Sequence, residues 1–273
     1  MIVEAALACV PAPGRAGKGC EDHGALGPST VVVVDGVGLL GRGCRHGVAW
    51  YARQLASATL AAVAGGDVPL ADGLASAIAT VAACHRDCDL AHPDTPSAAV
   101  GVLRIGADSV ETLSLADVAI VVDLGTDGLH AVVDRHAEAR AGLVGAGLAG
   151  HRIGTAAHAA AVAGLLAERE TACNRPGGFW VAAADPDVAH RATAATFPSA
   201  GLRRAVVCSD GASWPVDSGE WTWSDAFARL ASRGPGGLVA AVRELEAADP
   251  DGLRHPRVKR HDDATVAYLR VLP

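Results

Sequence analysis

Three apolar, strand-like runs in this chain each abut an aspartate. Four consecutive valines at positions 31–34 run directly into Asp35 and Gly36, "AVVCS" runs into Asp210 and Gly211, and Asp262 precedes "ATVAYL". β-Branched side chains favour extended backbone, so Asp35 is expected at a strand end. A carboxylate just beyond a buried strand costs stability unless it is solvated or paired. Several converging there instead make a hard, oxygen-only site suited to Mg²⁺ or Mn²⁺. A single Asp-Gly pair is a common turn, so the recurrence and order of these motifs matter more than any one of them.

The chain has 273 residues, enough for one large domain with a substantial core, and residues 1–273 are read as a single domain. Apolar residues make up 50% but aromatic ones only 4%, so the core must be built mainly from Ala, Val and Leu. The net charge of −7 offers no electrostatic footprint for nucleic acid. No run reaches about 18 uninterrupted apolar residues, and no signal-peptide pattern opens the chain, so neither membrane nor export is expected. Seven cysteines, an odd number, argue against a disulfide framework and for reduced thiols. The expected location is the cytoplasm. The Ala, Gly and Arg content is that of a GC-rich bacterial source.

Along the chain, "IVEAALACV" reads as a strand, "PAPGRAGKG" as a loop and "VVVVDGVG" as a second strand. "HGVAWYARQLASATLAAVA" and "PLADGLASAIATVAACHRDCDLA" have helical spacing and predict an antiparallel helix pair. The run from Pro96 to Leu124 reads as three strands of an antiparallel meander, with turns near "GAD" and "LAD". Positions 134–175 are Ala-rich and helical in parts. "GGFWVAAA" and "GLRRAVVCSDG" read as strands flanking a short helix, "DVAHRATAA". "WSDAFARLAS" and "PGGLVAAVRELEAA" follow as helices, and "DATVAYLRVL" closes as a strand. Helix layers on sheets are the expected result.

Glu21-Asp22 before "VVVVDG", a late strand ending in "SDG", and "DDAT" opening the last strand form an ordered set. That set resembles the metal-dependent (type 2C) serine/threonine protein phosphatases, over nearly the whole chain. The resemblance implies an α/β (α+β) fold, a four-layer α-β-β-α sandwich with two central, mainly antiparallel sheets. It implies two Mn²⁺ or Mg²⁺ ions bridged by Asp35, with the Gly36 backbone contributing to one of them. Asp210 and Asp262 complete the second ion's site, Glu21 acts through metal-bound water, and Asp22 supports it from behind. Asp117 falls at the family's position for a third ion, where Ala116 replaces the usual glycine. The implied reaction is hydrolysis of phosphoserine or phosphothreonine in proteins, by in-line attack of a water bridging metals about 3.5–4 Å apart. The alternatives are a phosphatase for a small phosphorylated metabolite, or a family-shaped protein that binds a partner with weak catalysis.

The sequence departs from the family pattern in several places. Gly17 stands where relatives often carry a phosphate-clamping arginine, leaving Arg15 or Lys18 as substitutes. Val37 replaces a histidine, so proton donation falls to water, and "PSAAV" around Ser97 replaces a small-hydroxyl motif. "GAGLAG" at 145–150 matches a dinucleotide fingerprint but lacks the strand before it. Cys44 with His46, and Cys84, His85 and Cys88, lack the paired spacing of structural zinc and are read as packing or solvent-exposed groups. Trp50 and Tyr51 are expected as core anchors, and Trp221 and Trp223 beside the active site.

Overall fold

The computed structural model describes residues 2–14, 19–38 and 43–272. The two expected phosphate-binding cations, Arg15 and Lys18, lie outside the described residues, as does Gly17. Among the described residues, ten strands form two five-stranded antiparallel sheets. The first has the order β1 (Ile2–Val10), β10 (Ala264–Leu272), β9 (Arg204–Cys208), β6 (Ala119–Asp123), β7 (Leu129–Val132). The second has the order β2 (His23–Leu26), β3 (Thr30–Val37), β4 (Ser97–Ile105), β5 (Ser109–Leu115), β8 (Thr193–Pro198).

Side chains alternate across a strand, and here both sides are covered. Val31 and Val33 enter the core between the sheets, while Val32 and Val34 pack under helices α1 (Val48–Val63) and α2 (Leu70–Ala83). Likewise Val206 and Cys208 face α5 (Asp210–Asp217) and α6 (Trp223–Ala248), whereas Ala205 and Val207 face the other sheet. The unbroken valine run is thus the signature of a strand buried on both faces. Helix, sheet, sheet and helix stack in the expected four layers. Each helix buries one stripe: Val48, Ala52, Leu55, Ala56 and Val63 of α1, and Leu70, Leu74, Ala77, Ile78 and Val81 of α2.

Four local expectations are corrected. The meander ends after β5, because β6 crosses to the first sheet and pairs with β7 and β9. Helix α2 stops at Ala83, and "CHRDCDLA" forms turns. "GGFWVAAA" makes only isolated bridges, Ala98 with Ala182 and Cys173 with Phe179. "DVAHRATAA" divides into a 3₁₀ turn at Pro186–Arg191 and strand β8, which pairs with β5. Helices α3 (Arg135–Leu148) and α4 (Ala156–Ala172) fill the Ala-rich segment. Gly145 lies inside α3, so "GAGLAG" follows a helix, not a strand. Among the described residues no helix is long and apolar enough to cross a membrane.

Candidate metal centre

Sheet register gathers the acidic residues. Cys208 pairs with both Ala119 and Val266. Because β9 runs antiparallel to both neighbours, its C-terminal end meets their N-terminal ends. Asp210 just after β9, Asp117 just before β6 and Asp262 just before β10 therefore share one edge of the first sheet. Asp35 arrives from the second sheet, opposite Ala99 in the β3–β4 ladder. Together Glu21, Asp35, Gly36, Asp117, Asp210 and Asp262 line one cleft of about 430 Å³.

Two glycines let the backbones close around this cleft. A Cβ on Gly36 would stand 2.3 Å from the Glu21 carbonyl oxygen and 2.6 Å from Val48 Cγ1. One on Gly211 would stand 1.9 Å from the Asp263 carbonyl oxygen. The Asp-Gly pairs are thus sites of close approach, with the aspartate facing the cleft and the glycine admitting the neighbouring chain. Ala116, where the resemblance led us to expect glycine, keeps a glycine-like backbone at φ +66° and presents Asp117 to the cleft.

Behind the cleft lies a polar network. Asp22 is buried and accepts the Ser209 hydroxyl at 2.7 Å, and Ser209 Oγ in turn accepts the Thr265 backbone N–H at 2.9 Å. The Ser209 hydrogen bond fixes the Asp22 carboxyl against the start of α5. Asp263, which sequence reading passed over in favour of its neighbour Asp262, is also buried. Its carboxylate accepts the backbone N–H groups of Ala12 and Glu21, each at 2.7 Å. The doubled aspartate of "DDAT" was the signal available for it.

The carboxyl groups are strongly perturbed. Burial, then the charges of Asp22, Asp210, Asp117 and Asp262, hold Asp35 well above the ordinary carboxylate range. Burial pushes Asp22 up to about 8 against the opposing Ser209 hydrogen bond, and Asp262 up to about 6 with Asp210 adding and Lys259 opposing. Asp210 is raised by burial and by Asp117. Such a cluster is at ease near neutral pH only with cations or protons among its oxygens. An all-oxygen donor set of this kind fits hard divalent ions such as Mn²⁺ or Mg²⁺.

Cations also reach the cleft. Lys259 ion-pairs with Asp262. Arg169 of α4 lines the cleft, donates to Ser97 Oγ at 3.2 Å and lies 5.9 Å from the Phe179 ring centroid. Val144 and Gly145 of α3 and Leu166 of α4 complete the wall. These two helices and Trp214 of α5 flank the site, whereas Trp221 and Trp223 do not line it. Trp221 is buried with Arg229 stacked on it at 4.2 Å, and Trp223 opens α6. Tyr51 is the expected core anchor, buried with its hydroxyl donating to the Ala183 carbonyl at 2.9 Å.

The fold is that of the PPM (type 2C) serine/threonine phosphatases. The chain is similar to PppA of Pseudomonas aeruginosa, with a TM-score of 0.58, 16% identity, and 100% of this chain and 99% of that chain covered. It is similar to PstP/Ppp of Mycobacterium tuberculosis, with a TM-score of 0.56, 16% identity and 100% of both chains covered. Stp1 of Staphylococcus aureus gives a TM-score of 0.56 at 12% identity, over 100% of this chain and 96% of that one. No family model matches the sequence, and no curated protein does. At these identities the likeness is one of fold.

Proposed function

We propose that this chain is a metal-dependent phosphomonoester hydrolase whose substrates are phosphoserine and phosphothreonine in proteins. The observation that carries the reading is the convergence of Glu21, Asp35, Asp117, Asp210 and Asp262 on one cleft, where burial and mutual repulsion raise the carboxyl groups of the four aspartates. The crystallised catalytic domain of PstP, in complex with two manganese ions, shares this fold at a TM-score of 0.55 and 16% identity, with 99% of each chain covered, and supports the same assignment of metal.

Asp35 and the Gly36 carbonyl, with Asp210 and Asp262, would hold two Mn²⁺ or Mg²⁺ ions, Glu21 would act through water, and Asp117 would serve a third ion. When bound, the ions supply Lewis-acid activation of water and neutralise the phosphoryl oxygens. The chain's own contribution is geometric and electrostatic. Asp263 fixes the backbone that carries Glu21, and Ser209 and Asp22 brace the carboxylates from behind. Arg169, pinned by Ser97, is placed to orient a phosphate by a forked pair of N–H donors. Lys259, paired with Asp262, supplies a further positive charge to the cleft.

The test is Mn²⁺-dependent hydrolysis of p-nitrophenyl phosphate by the native chain, Asp35→Asn and Asp210→Asn, each with and without chelator. Metal-dependent turnover that both substitutions abolish is the expected result. Full activity in Asp35→Asn, or activity indifferent to chelation, would overturn the reading. Phosphopeptides against small phosphometabolites then decide the substrate class.

A further inference from the structure

Away from the acidic cleft, the structure gathers Cys44, His46, His85 and Cys88 so closely that their sulfur and nitrogen atoms all lie within 4.8 Å of one another. We propose that these four side chains form a Cys₂His₂ structural zinc site. Neither half of the pattern, Cys-x-His and His-x-x-Cys, has the usual spacing, so the sequence alone did not point to zinc. The halves meet because α1 and α2 form an antiparallel hairpin, which returns the chain after Ala83 to the residues that precede Val48.

The distances fit a tetrahedral ion. With Zn–S of ~2.3 Å and Zn–N of ~2.1 Å, a tetrahedral zinc separates a sulfur ligand from a nitrogen ligand by roughly 3.6 Å. Cys44 Sγ lies 3.6 Å from His46 Nδ1 and 3.4 Å from His85 Nδ1, and Cys88 Sγ lies 3.5 Å from His46 Nδ1. Two-centre hydrogen bonds leave one of these three close contacts over. An imidazole nitrogen offers one lone pair or one N–H, yet His46 Nδ1 faces two sulfurs. One shared cation satisfies all four groups at once. Two thiolates and two imidazoles in a tetrahedron select zinc over the hard ions suited to the acidic cleft.

The surroundings are those of a closed site. Cys44 and His85 are buried, His46 stacks on Trp50 at 4.3 Å, and the His85 ring meets Trp50 edge-on at 4.9 Å. Four protein ligands leave no open position, so the role is structural, not catalytic. The neighbouring loops already touch: the Asp89 N–H donates to the Gly43 carbonyl at 2.8 Å, and the Thr95 hydroxyl to the Asp89 carbonyl at 2.7 Å. Zinc would fasten the base of the helix hairpin to the chain leaving β3, the strand that carries Asp35. Cys84 is exposed, its thiol donating to the Thr80 carbonyl at 3.4 Å, and takes no part.

The experiment is metal analysis of the native chain purified under reducing conditions without added metal, followed by cobalt substitution. One equivalent of zinc is expected, retained in Asp35→Asn, Asp210→Asn and Cys84→Ser, and lost in Cys44→Ser and Cys88→Ser. The Co²⁺ form should show thiolate-to-metal charge transfer and tetrahedral d–d bands, a signature that ions in an oxygen-only cleft cannot give. Should the cysteine variants fail to fold, stepwise release of zinc as the native thiols are titrated with a mercurial gives the same answer. Substoichiometric zinc with no charge-transfer band, or a Cys44–Cys88 disulfide in the freshly purified protein, would overturn the assignment.

Discussion

The Asp263 carboxylate accepts the backbone N–H of Glu21 at 2.7 Å, joining the last strand's approach to a loop 242 residues earlier in the chain. Its other oxygen accepts the Ala12 N–H at the same distance. Both hydrogen bonds end on a buried carboxylate, and bonds to charged groups contribute about 1.5–3 kcal/mol. Asp263→Asn keeps the shape but turns one acceptor into a donor facing an N–H. The expected outcome is a loss of about 2 kcal/mol in urea unfolding and a Mn²⁺ affinity weakened by roughly tenfold or more, since Glu21 loses its anchor. Unchanged metal affinity, read by calorimetry, would show that Glu21 does not depend on this bond.

The acidic cluster fixes how the metal-free protein responds to pH. Asp22 is raised to about 8 and Asp262 to about 6, against about 3.9 for an unfolded aspartate. The folded state therefore binds more protons than the unfolded one in this window, and stability falls as pH rises from about 4 to about 8. Carboxylates held low, such as Asp123 and Asp249, act below this window. Chelated protein should show a lower urea midpoint at about pH 8 than at about pH 5.5, and Mn²⁺ should raise the midpoint more at the higher pH. A chelated midpoint that climbs across this range would contradict the picture.

Gly211 and Gly236 should behave oppositely when replaced by alanine. At Gly211 the new Cβ would stand 1.9 Å from the Asp263 carbonyl oxygen and 3.1 Å from Asp262 Cβ, so the backbone leading into β10 must shift. A cost of about 3 kcal/mol is expected, the upper end for overpacking a close contact. Around Gly236, just past the kink at Gly234 that divides α6 into two helical segments, there is open space, and alanine should gain up to about 1 kcal/mol from helix propensity. Thermal melts of the two variants side by side test the contrast.

Two of the cations that line the cleft, Arg169 and Lys259, should separate kinetically. Arg169→Ala removes a pre-positioned fork and should raise KM for p-nitrophenyl phosphate by roughly tenfold. Lys259→Ala removes a positive charge that competes for Asp262 and should tighten apparent Mn²⁺ binding by roughly fivefold, a modest Coulomb effect for a solvent-accessible pair. Metal titrations and substrate titrations of both variants distinguish these roles.

Local chemistry determined a good deal of this molecule. β-Branching made β3 a strand, apolar spacing at three and four residues made α1 and α2 helices, and the aspartates beside β3, β9 and β10 were visible as charges where apolar runs stop. Only the tertiary structure decided which strands share a sheet. An apolar run reports that a residue is buried, but either sheet can bury it, so β6 looked like the third strand of a meander although it crosses to pair with β9. The same limit hid Asp263 and the cysteine–histidine cluster. Their meaning lies in contacts between segments far apart in the chain, set by antiparallel register in one case and by the return of a helix hairpin in the other. Periodicity and propensity act over a few residues, whereas these sites arise from packing across the whole chain.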